Sequence, residues 1–251
     1  VVLINDGGED VQEIVDTFSC YFPINYVYHK KSKGRTPAIN AGVANASAKW
    51  IAVLDDDDIV YPWHFETLYN ATLEKPEYKM FYTNYNRTIF RTINSHDPLV
   101  LRGVEPWPYN KAQLWVTNRI PMHTWLLAKA CFEKVGFFDE AQTMLEDFEF
   151  LVRLTKKYDF FHINRVTCEY RFYLDGINSM INNRSKTLEA LEYIYKQHPS
   201  KDKEILNGRE IELKSLANQI TKIESEKKEL TGEPANDELV IRRITKLILG
   251  F

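Results

Sequence analysis

From its first residue the chain alternates short apolar runs with stretches of helical spacing, and that alternation restricts it to βαβ crossovers with helices laid against a parallel sheet. Val1-Val2-Leu3-Ile4 reads as a strand ending in Asn5-Asp6-Gly7-Gly8, and the segment to Phe18 has helical periodicity. Residues 24–29 read as a second strand. Thr36-Pro37 then starts a helix through Ala46, with Thr36 as N-cap, and residues 50–54 form a third strand. A helix over 63–73, a long strand over 80–90 and an irregular stretch over 94–121 follow. A strand over 124–127, a helix over 146–157 and a last strand over 166–173 complete the reading. A parallel strand buried on both sides needs two neighbours, so a strand and helix upstream of Val1 are expected to be missing and the sequence to be a fragment, its first domain incomplete at the N-terminus. The expected fold class is α/β, a Rossmann-like mixed and mainly parallel sheet flanked by helices.

In 251 residues with 44% hydrophobic composition there is material for one substantial core and one smaller appendage. The globular domain is expected over 1–184, with a helical extension over 185–251. Within the extension, Leu206, Leu213, Leu216, Ile220, Ile223 and Leu230 recur at steps of three and four, interrupted by Arg209 and Lys227. That pattern reads as a coiled-coil seam over about 203–230, and alternatively as an amphipathic helix folded back on its own domain. The seam implies homo-oligomerisation or attachment to a further domain, and a cut after residue 184 is expected to leave a folded monomer. A terminal helix over 238–251 places Arg242, Arg243 and Lys246 opposite an apolar side, fit for packing on protein or for lying on an anionic membrane.

Charge narrows the partners. With 32 basic and 35 acidic residues and a net charge of -3, no global field favours nucleic acid. Cys20, Cys131 and Cys168 are widely spaced in apolar surroundings and read as reduced core thiols of a cytoplasmic protein. No apolar run approaches the ~20 residues that span a bilayer, so membrane contact is expected to be at most peripheral, at the inner face.

Four adjacent carboxylates, Asp55 to Asp58, follow the third strand, and they repel one another unless a cation or solvent neutralises them. Mg2+ or Mn2+ prefers carboxylate and phosphate oxygens and keeps few protein ligands, which suits a site completed by a diphosphate. A solvated acidic turn is the plain alternative. Asp6 offers an acceptor to a base N–H, although a turn demanding glycine explains Asp-Gly-Gly equally. Arg35 at a helix N-terminus can face phosphate. Glu146-Asp147 opens a helix, where it either stabilises the helix dipole or presents a carboxylate to an acceptor hydroxyl.

The stretch from Val1 to Ser179 resembles the family 2 glycosyltransferases, which have the GT-A fold. The matching motifs are residues 2–8, Gly34 to Gly42 with Asn40, Leu54 to Asp58 with Pro62, residues 135–140, and Glu146-Asp147 with Arg153. The resemblance implies a nucleotide-diphosphate sugar donor, most commonly a UDP-sugar, and a saccharide or glycoconjugate acceptor. It places Asp6, Arg35, Asp55 and Asp56 at the nucleotide and makes Asp55 and Asp57 the acids of an Asp-x-Asp motif, with Asp57 as the direct metal ligand. Asp147 would be the catalytic base and Glu146 would orient the site. His123 and Trp125 are candidates for the acceptor pocket, because sugars stack on aromatic faces, and core packing competes as an explanation. Tyr173 stands where many relatives carry a histidine. A sugar nucleotidyltransferase, releasing pyrophosphate, and a non-catalytic sugar- or nucleotide-binding scaffold are the competing readings.

Overall fold

A computed structural model describes residues 1–90, 100–103, 106–173 and 183–230. In chain order its elements are β1 (Val2–Asp6), α1 (Gln12–Phe18), β2 (Asn25–His29), α2 (Arg35–Asn45), β3 (Trp50–Ile51) and β4 (Ile59–Val60). Next come α3 (His64–Glu74), β5 (Met80–Phe90), β6 (Val100–Gly103), α4 (Lys111–Leu114), a 3-10 turn (Met122–Thr124) and β7 (Trp125–Ala128). The chain continues through α5 (Ala130–Val135), α6 (Glu146–Leu154), β8 (Phe160–Tyr173), α7 (Arg184–Gln197) and α8 (Lys203–Leu230).

The fold is mixed α/β, as the alternation requires. β1 and β2 pair in parallel, and a second sheet runs in the order β3-β7-β5-β8-β4 with β6 added along β5. Its longest ladder, β5 with β8, is parallel, whereas β7, β6, β4 and β3 attach antiparallel. A parallel pair needs no tight turn, so the sequence between β5 and β8 is free to supply the site's loops and α6. A register shift around Asn84 marks a bulge in the middle of this ladder.

Several boundaries differ from the sequence reading, β8 starting at Phe160 and α6 ending at Leu154 among them, and two have plain physical reasons. The strand expected over 50–54 ends at Ile51, because the chain leaves the sheet before the acidic run rather than burying it. α2 starts at Arg35 behind Gly34, whose φ of 100° makes the turn, so Thr36 is inside the helix and not its cap. The Thr36 hydroxyl instead donates to the Gln142 carbonyl at 3.1 Å. Cys131 and Cys168 are buried as expected, but Cys20 lies exposed beyond α1.

The main core joins β5, β7 and α6 through Met80, Tyr82, Trp125, Leu127, Phe150 and Leu154. The opposite side of α6 is buried as well. Phe148 and Val152 pack with Leu191 and Ile194 of α7, and Leu213 and Leu216 of α8 close over them. Two residues of the seam noted in the sequence are therefore spent within the chain, while Leu206 and Ile211 stay exposed. The expected terminal helix over 238–251 lies outside the described residues. Among the described residues no helix is long and apolar enough to cross a membrane.

Candidate active site

Asp6 ends β1, and its carboxylate anchors the loop that leads into α2. It accepts from His29 Nδ1 at 2.7 Å, Ser32 Oγ at 2.8 Å, Gly34 N at 2.8 Å and Lys33 N at 3.0 Å. Burial works against its charge, but these bonds outweigh it and hold the carboxyl well below the usual range. Both oxygens are thus engaged inside the protein, a use of Asp6 that the sequence did not suggest. The turn after it needs Gly7: φ is 90°, and a Cβ there would meet Ser32 N at 2.5 Å.

The anchored loop delivers Arg35. Its guanidinium donates to Asp55 Oδ2 at 2.6 Å and to Glu146 Oε1, so one side chain links the acidic run to the first turn of α6. α2 is laced to the loop before α6 as well. Asn40 donates to the carbonyl of Phe138 and to Glu140, and accepts from Phe138 N at 3.0 Å. Arg153 reaches back to the Val135 and Phe137 carbonyls while paired to Glu149 at 2.7 Å. These contacts bring together motifs about a hundred residues apart.

Asp55, Asp57 and Asp58 each offer an oxygen within 4.8 Å of the others. Partial desolvation, and then Asp58 and Asp55, push the carboxyl of Asp57, itself exposed, above its ordinary value. Asp56 is exposed and outside this group. Three carboxylate oxygens suit a hard divalent ion that completes its shell with water and phosphate. Asp58 has a second attachment. His123 Nδ1 lies 2.7 Å from its Oδ2, and both side chains are almost fully buried.

Glu146 and Asp147 follow Leu145, whose φ of 58° is left-handed, an unfavourable conformation held in place by packing of Leu145 on the α6–α7 cluster. Glu146 is buried on Arg35, and Asp147 accepts from Asn118 Nδ2 at 2.8 Å. Burial pushes the Asp147 carboxyl up, opposed by Arg35 and supported by Asp55. Tyr170 sits in the same field, its hydroxyl pushed up by burial, Asp147 and Asp58. Asn118 and Tyr170 went unnoticed in the sequence. A lone asparagine in an irregular loop carries no signal, and Tyr170 lies in a strand that reads as packing.

Both acceptor-pocket candidates are buried. Trp125 is 3% exposed within the main core and its ring N–H donates to the Ile120 carbonyl at 2.9 Å, the packing that competed as its explanation. His123 is 4% exposed and turned onto Asp58. The Tyr173 side chain lies outside the described residues.

The family model for glycosyl transferase family 2 matches residues 1–125. An uncharacterized glycosyltransferase of Haemophilus influenzae is 23% identical over 197 residues, 77% of this chain and 65% of that one. Among solved structures, S. aureus TarS in complex with UDP-GlcNAc superimposes with a TM-score of 0.58 at 13% identity, covering 87% of this chain and 62% of that one. A mannosyltransferase of Pyrobaculum calidifontis in complex with GDP-Man and Mn2+ superimposes with a TM-score of 0.56 at 15% identity, covering 90% and 66%. The chain has the GT-A fold and belongs to glycosyl transferase family 2. It spans about two thirds of the length of these relatives.

Proposed function

We propose that this chain transfers a sugar from a nucleoside diphosphate to an acceptor hydroxyl, with inversion and with the help of Mn2+ or Mg2+. The observation that carries the reading is the Arg35 bridge, which brings Asp55 of the acidic cluster and Glu146 beside Asp147 to one place. The likeness to proteins solved with UDP-GlcNAc and with GDP-Man and Mn2+ supports a nucleotide-sugar donor and a divalent ion.

In this reading Asp55 and Asp57 would hold a divalent ion, which would supply charge stabilisation to a departing diphosphate. Asp6 acts by fixing the loop that carries Arg35, and Asp56 lies toward solvent at the nucleotide. Asp147 takes the proton of the acceptor hydroxyl as its oxygen bonds to the anomeric carbon and the bond from that carbon to phosphate breaks. A carboxyl with a raised pKa suits that task near neutral pH. Glu146 keeps Arg35 oriented. The acceptor is a saccharide or glycoconjugate, and the protein works in the cytoplasm or against the inner face of the membrane.

The experiment is a screen of UDP-, GDP- and dTDP-sugars for Mn2+-dependent hydrolysis and transfer, with Asp57→Asn beside the wild type. Losing charge stabilisation of a leaving group costs about 10²–10³-fold in kcat, and Asp57→Asn is expected to lose that much. Equal turnover by Asp57→Asn, or pyrophosphate release from a nucleoside triphosphate as the main reaction, would refute the reading.

A further inference from the structure

Arg35 is 46% exposed on its side chain, yet it is committed to two carboxylates that belong to different halves of the site. One of them, Asp55, is also a member of the acidic cluster suited to a cation, and the other, Glu146, is buried. A guanidinium is planar and forked, so it satisfies two carboxylates at once and keeps its charge at any working pH. Asp55 therefore has one negative charge with two claimants. While the guanidinium holds it, the cluster offers a metal less charge and fewer free lone pairs.

We propose that Arg35 is a resident counter-ion whose hold on Asp55 competes with the divalent cation, so that metal binds strongly only when a diphosphate arrives to take the guanidinium. The inference rests on the cluster being the donor-metal site. It makes metal and nucleotide uptake cooperative through one side chain: the diphosphate relieves Asp55 of Arg35, and the freed Asp55 strengthens the metal that binds the same diphosphate. Arg35 is then more than a phosphate contact. It suppresses capture of metal by an empty site.

The competition gives Arg35→Gln opposite effects on two equilibria, which simple loss of a ligand contact does not. Calorimetry with Mn2+ alone is expected to show tighter binding to Arg35→Gln than to the wild type, by roughly tenfold if the lost pair is worth one decade of affinity. With UDP added, the wild type is expected to gain Mn2+ affinity and Arg35→Gln to gain far less. Arg35→Gln/Asp55→Asn is expected to lose the advantage seen with Mn2+ alone, and thermal melting checks that each variant is folded. Equal or weaker Mn2+ binding by folded Arg35→Gln overturns the proposal, as does an advantage that persists without Asp55. If the wild type gains no Mn2+ affinity with any nucleoside diphosphate, the donor-metal reading falls with it. A wild type that gains affinity beside an Arg35→Gln that is unchanged for Mn2+ alone sinks only the counter-ion.

Discussion

In the proposed role of base, Asp147 is a carboxyl whose function and stability pull in opposite directions. Its folded pKa is raised, so its contribution to stability is present when protonated and is lost as pH rises through the folded value. Asp147→Asn should therefore melt higher than the wild type at pH 7 while kcat falls by about 10²–10⁴-fold, the range for removing a general base. The same shift moves the acid limb of the wild-type pH profile of kcat/KM above the ordinary carboxylate range. Rate is lost as pH falls through the pKa of Asp147, and a melting curve and a pH profile check the two claims separately. Gly7 is a second position with a defined cost. Gly7→Ala places a Cβ 2.5 Å from Ser32 N at a positive φ, and is expected to destabilise by about 1–3 kcal/mol. It should also weaken nucleotide binding by disturbing the loop that carries Arg35. The charged groups that Arg35 brings together, Asp55 and Glu146, were legible as candidates in the sequence because charged runs at the ends of elements are visible without coordinates. Trp125 was not, since its chemistry is the same in a sugar platform and in a core, and only its bond to Ile120 separates the two.

Among the elements, α6 depends most on parts far away in the chain. One side faces the sheet and the other is closed by α7 and α8, with Glu149 accepting from His198 Nε2 at 2.9 Å and from Arg153. Lys156 Nζ meets the other ring nitrogen of His198 at 2.8 Å, and Arg209 donates to the His198 carbonyl at 2.7 Å. A cut after residue 184 removes the cover from Phe148 and Val152 and leaves Glu149 without His198. Each large apolar side chain uncovered costs about 1.5–3 kcal/mol, a large share of the ~5–15 kcal/mol that holds a domain together. The truncated chain is expected to lose its cooperative melt, where the composition change near residue 184 suggested an independent domain. A sharp melt and a monomeric sedimentation profile from the truncated chain would contradict this. The seam on α8 was legible as an apolar repeat, but periodicity gives the stripe and not the surface that it meets.

At the scale of the molecule, the mixed α/β class followed from the alternation of runs, whereas the sheet's order did not. Antiparallel edges such as β4 on β8 join residues more than a hundred positions apart, and no local pattern encodes that pairing. Among the described residues β1 pairs with β2 and β3 with β7, two further pairings that join separate stretches of the chain. The network around His198 has a mechanical meaning too. Because His198 at the end of α7 bonds Glu149, one turn beyond Glu146, and takes a bond from Arg209 of α8, a pull on the tail reaches the helix that carries Asp147 without first crossing the sheet. Whatever grips those last helices therefore holds a lever on the position of Asp147.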